Sequence, residues 1–224
     1  MKFKSIITTG LAVISFGFLS CNEAPKGDNV TISEKQDALE AKGASFTADT
    51  TSSRIRFTGH GVGKNHPGVF KLSSGTVYVA DNNISGGNFV INIKSLDLEQ
   101  KGGMFDSKLY PHLLSNDFFD AEKFATSKFE ITDVQPYTAN SADTSIVAGA
   151  NYTISGNFTL KDVTKNISFP AKVDLDGNTL KAKGNFNIDR TEWNMNYNSD
   201  KSLGDKFISE TVNIQLDLEA RKQG

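Results

Sequence analysis

The chain has 224 residues, 24 of them Lys or Arg and 26 Asp or Glu, for a formal net charge of −2. That length suffices for one ordinary domain with a substantial core, and the near balance of charge excludes the clustered basic surface of a nucleic-acid binder. With 16 Phe against 1 Trp and 5 Tyr, a mostly polar chain must place many rings either in a filled core or around a cavity.

Lys2 and Lys4 precede a short apolar stretch, Ile6 to Leu19, interrupted by Thr, Gly and Ser. It is too short for a comfortable membrane span, and residues 1–20 read as a secretory signal peptide. Ser20-Cys21 resembles a bacterial lipobox, in which the Cys is diacylated and becomes the new N-terminus, although Phe18 stands where Leu is commoner. An ordinary signal peptide with an incidental Cys is the alternative. Cys21 is the single Cys, and lipidation accounts for one unpaired thiol in an exported protein. The expectation is a lipoprotein held by two or three acyl chains to a bacterial envelope membrane, facing the periplasm.

Residues 21–45 read as a lipidated polar tether. Ser33-Glu-Lys-Gln36 fits a capping box and Gly43 a helix stop, but a helix over Asp37 to Lys42 would have only Leu39 to bury and would be marginal. As a coil, about 24 residues span on the order of 25 Å.

From Phe46 the apolar period becomes two. Ile55, Phe57 and Gly59 alternate with Arg54, Arg56 and Thr58; a turn is expected over Gly63 to Gly68; Phe70 and Leu72 follow, then Val77 and Val79, then Phe89, Ile91 and Ile93. After a mid-chain interruption come Phe129 and Ile131; Ile154, Gly156, Phe158 and Leu160; Ile167, Phe169, Ala171 and Val173; Ala182, Gly184, Phe186 and Ile188; a face shared by Trp193, Met195 and Tyr197; a loop over Lys201 to Lys206; and Val212, Ile214, Leu216 and Leu218. This pattern marks antiparallel strands with one dry and one wet face. About eight strands with regular turns argue for an all-β sandwich or closed barrel, and the hairpin order favours the barrel. A polar outer face is wrong for a transmembrane barrel.

The interruption, from His112 to Phe124, carries Leu113, Leu114, Phe118, Phe119 and Phe124 without alternation. Pro111 suits a helical first turn, so a short irregular helix is expected, closing as a plug over one barrel end. His112-Leu-Leu-Ser-Asn-Asp-Phe-Phe-Asp-Ala-Glu-Lys-Phe124, with the strand Ser127 to Ile131 behind it, resembles the signature of the YceI-like family. Ile154 to Pro170 resembles that family's G-x-L-T-x-x-G-V-T-K hairpin, and Phe186 to Trp193 its F-x-I-x-R-x-x-F/W strand end. The resemblance covers roughly residues 46–220 and implies, for residues 46–224, a lipocalin-like β-barrel that binds polyisoprenoids or other long apolar chains.

The resemblance implies a ligand-lined tube: Phe57, Phe70, Phe89, Ile91, Phe129, Phe158, Phe169 and Phe186 as wall, with Leu113, Phe118, Phe119, Trp193 and Tyr197 around the mouth. Core filling is the competing reading for each. Arg190, beside Asp189 and Trp193, either closes the barrel end by ion pairing and stacking or faces an anionic head group. His60, His66 and His112 lack the spacing of a metal-ligand set, and no nucleophile elbow or phosphate-binding loop is present. Asp117 and Asp120, flanking Phe118-Phe119, read as helix capping rather than an acid–base pair. The expected function is a non-enzymatic, lipid-anchored binding protein for an isoprenoid, quinone-like or fatty-acyl chain, without cofactor, metal or nucleic acid; a homodimer is left open. The rivals are a filled-barrel structural or stress-related module that binds a protein partner and, further off, a lipid-acting enzyme.

Overall fold

The computed structural model describes residues 25–61, 63–139 and 144–224. Eleven strands form one sheet: β1 (Asp28–Asn29), β2 (Thr31–Glu34), β3 (Ala44–Ala48), β4 (Arg54–Gly61), β5 (Lys64–Ala80), β6 (Asn83–Leu98), β7 (Thr126–Pro136), β8 (Tyr152–Leu160), β9 (Val163–Asp176), β10 (Thr179–Asp189) and β11 (Thr211–Lys222). The sheet closes into an antiparallel barrel of eight positions, because β3 and β4 occupy one position in succession between β11 and β5, and β9 also pairs β10. The alternation gives every strand one apolar face, and by curling on itself the sheet takes all of those faces out of water together.

One barrel end is capped. The cap holds a π-helix, Phe105–Leu109, a short helix α1 (Tyr110–Leu114), and the turns that follow to Phe124. Pro111 sits in the first turn of α1, as expected, while Phe118 and Phe119 lie in the turns beyond it. Asp120 adopts a left-handed conformation, and its carbonyl accepts from Lys123 and Phe124 N–H.

Three local expectations are corrected. Lys64 to Gly68 already belongs to β5 rather than to a turn, paired with β4 as far as Gly61. Trp193, Met195 and Tyr197 do not share a strand face: a 3-10 turn, Arg190–Trp193, ends on left-handed Asn194. Its N-terminus is capped by Asp189, whose carboxylate accepts from Thr191 N–H at 2.8 Å, so the local hydrogen bonds outcompete the ladder.

The third correction concerns the tether. From Asp28 onward it is bound to the barrel, and residues 37–42 form no helix. β10 pairs β9 only from Thr179 to Gly184, so the two strands part toward the capped end. β1 pairs in parallel with β10 at Phe186 and Asn187, and β2 pairs with β9 from Ser168 to Lys165. Asp28–Glu34 is therefore a stave set into an open seam, with Val30 and Ile32 packed on the core. The chain then crosses the outside of β8, β7 and β6. Gln36 N–H donates to Asn157 Oδ1 at 3.0 Å and its carbonyl accepts from Asn157 Nδ2 at 2.7 Å; Leu39 N–H donates to the Ile131 carbonyl at 3.0 Å; Ser85 Oγ donates to the Lys42 carbonyl at 2.5 Å. Backbone that would make a marginal isolated helix gains these partners instead.

The segment Met195–Ser209, which lies over the capped end, is organised by one side chain. Arg190 is 2 % exposed. Its Nε donates to the Ser209 carbonyl at 2.9 Å, its Nη2 to Tyr197 at 2.8 Å and Ile208 at 2.9 Å, and its Nη1 to the Met195 carbonyl. Burial lowers its pKa from the ordinary guanidinium value, opposed by the Asp189 and Glu210 carboxylates.

Two outcomes follow from these contacts. Asn157→Ala, which strips both hydrogen bonds from Gln36, is expected to cost about 1–3 kcal/mol in denaturant unfolding and to raise amide exchange at Gln36 and Leu39 selectively. Arg190→Lys, which cannot reproduce a planar five-donor fork, is expected to cost at least about 2 kcal/mol, because two or more buried carbonyls lose a charged donor.

Candidate functional site

The inward faces of the strands surround a cavity of about 290 Å³. Phe57 comes from β4, Phe70 from β5, Phe89 and Ile91 from β6, Phe129 from β7, Phe158 from β8, Phe169 from β9 and Phe186 from β10; Leu113, Phe118 and Phe119 descend from the cap, and Arg190 reaches the wall near that end. All of these line the space. Trp193 and Tyr197 do not. Trp193 is fully buried behind the wall, its ring edge-on to Phe158 at 5.3 Å and its Nε1 donating to the Phe158 carbonyl at 3.1 Å. Tyr197 is exposed on the outer side of the cap, where its ring meets His112 at 4.7 Å and Phe118 at 5.7 Å.

The rings lie against the wall in two groups. Phe57 and Phe70 stack at 5.2 Å, and Phe119 meets them edge-on at 6.2 and 5.2 Å. Phe169 and Phe186 stack at 4.1 Å, with Phe129 at 6.0 Å from Phe169. Inward glycines give the rings room. A Cβ at Gly68 would sit 2.5 Å from Phe57, one at Gly75 2.5 Å from Phe89, and one at Gly156 2.2 Å from Phe129. Each ring thus folds flat over a missing side chain, and the centre stays open.

Sequence reasoning weighted the rings and left out much of the aliphatic wall. Ile93, Ile154, Ile167, Ile188, Val212 and Ile214 also face the cavity. Their signal was present, since each occupies an apolar position of an alternating strand. Met195, Ile208, His60 and His66 also line it, but only the fold of the capped end brings them there.

Polar groups at the wall are few and committed. Ser127 is 2 % exposed and its Oγ donates to the Thr159 carbonyl at 2.6 Å. Arg190 directs its donors at the four carbonyls described above, and its guanidinium lies 5.7 Å from the Phe118 ring centre; among the described residues it makes no ion pair. The imidazoles have separate partners: His60 Nδ1 meets Asn65 Oδ1 at 2.7 Å, His66 Nδ1 meets Gln100 Oε1 at 3.0 Å, and His112 Nε2 meets Asp117 Oδ2 at 2.9 Å. Among the described residues, no three His, Cys, Asp or Glu converge as a metal site would require. A carbon-lined space with so few free hydrogen-bonding groups gives water little to bind, and suits hydrocarbon.

Similarity to known proteins agrees with this architecture. The sequence model of the YceI-like domain matches residues 46–220. A UPF0312 protein of Pseudomonas fluorescens (strain SBW25) is 31% identical over 114 residues, which cover 50% of this chain and 53% of that protein, so the match spans about half the relative's length. The crystal structure of Burkholderia cenocepacia BcnA superposes with a TM-score of 0.59 at 20% identity, covering 77% of this chain and 98% of that one. A polyisoprenoid binding domain from Saccharophagus degradans superposes with a TM-score of 0.58 at 16% identity, over 81% and 100% of the two chains. At these identities the solved structures share the fold, a closed antiparallel barrel with a short helix. On its matched span and its barrel, the chain belongs to the YceI-like domain family.

Proposed function

We propose that this protein is a lipid-anchored carrier, exported to the bacterial envelope and facing the periplasm, that holds a long apolar ligand in its barrel for storage, transport or sequestration. The ligand class is an isoprenoid, a quinone-like molecule or a fatty-acyl chain. The cavity carries this reading. Protein interiors hold few voids larger than a water molecule. An apolar void of about 290 Å³, left empty, costs on the order of 7 kcal/mol at about 24 cal/mol per Å³, comparable with the whole stability of a domain. A hydrocarbon chain removes that cost and buries its own surface at roughly 25 cal/mol per Å². The structural likeness to a domain described as polyisoprenoid binding supports the same class.

The anchor rests on Lys2, Lys4, the apolar run to Leu19 and Ser20-Cys21, which lie outside the described residues. Since the chain is bound to the barrel from Asp28 onward, residues between Cys21 and that point would form the whole leash. A fully extended leash reaches roughly 25 Å, and the barrel would stay close to the lipid surface. The cavity weighs against a filled-barrel module. Against a lipid-acting enzyme stands the wall itself: Ser127 is bonded to a backbone carbonyl, and no base approaches it among the described residues.

An organic extract of the purified protein is expected to yield a stoichiometric apolar compound by mass spectrometry; an extract without one, together with no uptake of long-chain isoprenoids or fatty amides, overturns the carrier reading. Phe119 and Phe118 should separate. Phe119→Ala is expected to lower affinity for a long-chain isoprenoid at least about tenfold, about 1.4 kcal/mol, with a smaller loss of ligand-free stability. Phe118→Ala, whose ring packs on His112, Tyr197 and Arg190, is expected to cost about 3–5 kcal/mol with or without ligand. Cys21→Ser is expected to move the protein from the membrane to the soluble exported fraction with its fold intact.

A further inference from the structure

Glycines on the inward faces differ in what fills the space above them. Gly68, Gly75 and Gly156 are filled by a phenylalanine ring. Gly59 and Gly61 are not. They follow Phe57 on the inward face of β4 and line the cavity, yet a Cβ built at either meets nothing within 4 Å. Neither has the left-handed φ that calls for glycine. Backbone geometry and close packing therefore give no reason for glycine at either position. What the missing side chains leave is space, at the capped end where β4 gives way to β5.

The surroundings of that space form a rim. His66 on β5 is the register partner of Gly59. Gly61 bridges to Ile208, and the Ser209 N–H donates to the His60 carbonyl at 2.8 Å. Leu109 of the π-helix also reaches the cavity, and Phe105 of the same helix lies edge-on to His66 at 6.2 Å. The residues of this rim are half-buried, while Phe57 and Phe70 behind it are buried.

The interior offers no free polar group for a head, since Ser127 and Arg190 are both bonded to backbone carbonyls. The rim does. His66 Nδ1 lies 3.0 Å from Gln100 Oε1, an acceptor, so in the neutral ring the donor is Nδ1 and Nε2 is left as an acceptor. Among the described residues nothing hydrogen-bonds to that Nε2. Resting on the carrier reading, we propose that Gly59 and Gly61 hold open the doorway of the cavity. An amphiphile enters there tail first and leaves a hydrogen-bond-donating head, a hydroxyl or an amide, at His66.

The test uses two probes with the same tail: farnesol, which has a hydroxyl head, and farnesene, which has none. The parent protein should bind both. Gly59→Leu and Gly61→Leu should keep the ligand-free melting temperature of the parent and lose at least tenfold in affinity or association rate for both probes. His66→Phe should weaken farnesol by about threefold to tenfold, the worth of one hydrogen bond, and leave farnesene unchanged. Leucine variants that bind both probes as the parent does, or that fail to fold, overturn the doorway. Equal effects of His66→Phe on the two probes overturn the head-group contact. A parent that binds neither probe instead overturns the carrier reading on which both rest.

Discussion

A barrel can keep a dry cavity only if its wall has no open edge. In this protein that condition is met by an unusual route. β9 and β10 separate beyond Gly184, which would leave a row of peptide groups unpaired beside an apolar space, at about 1–3 kcal/mol for each buried group. The stave Asp28–Glu34 fills the opening, hydrogen-bonded to β10 on one side and β9 on the other. This stave lies before residue 46, where the family match begins. The wall is therefore completed by a segment that lies outside the matched span.

The stave is held by the outer face of the barrel. Asn157 is 2 % exposed and pairs with both peptide groups of Gln36, as a strand neighbour would. Asn213 is fully buried and donates to Asn185 and Asn187 at 2.8 and 3.0 Å. Gly27 passes so close above that cluster that a Cβ would lie 2.6 Å from the Asn187 and Asn213 amides. Outward polar residues thus serve as the bonding surface of a second layer.

Inside, aromatic size is balanced by glycine. Small and large side chains alternate around small barrels to fit their taper, and here Phe57, Phe89 and Phe129 each lie over a glycine instead of crossing the axis. The cap follows a similar economy of polar groups. Arg190 directs its charge at the carbonyls that shape Met195–Ser209, so the one Lys or Arg at the wall among the described residues organises backbone and leaves the interior hydrocarbon-like.

The alternation of apolar residues was enough to locate the strands, to choose their inward faces and to favour a barrel, because burial on one side of a pleated strand imposes a period of two. The run from His112 to Phe124 was legible as a cap for the converse reason: its large side chains break that period. Trp193 and Tyr197 were misplaced because alternate spacing also occurs in a 3-10 turn followed by coil, and Asp189 and Asn194 set that turn locally. The docking of Asp28–Lys42 was not legible at all. A polar stretch looks the same whether its peptide groups are solvated or paired to a distant strand, and Asn157 looks like any outward polar residue. Whether the phenylalanines fill the barrel or line it was likewise beyond composition. That depends on which ring lies over which glycine, and the register between neighbouring strands, fixed only by closure of the sheet, decides it.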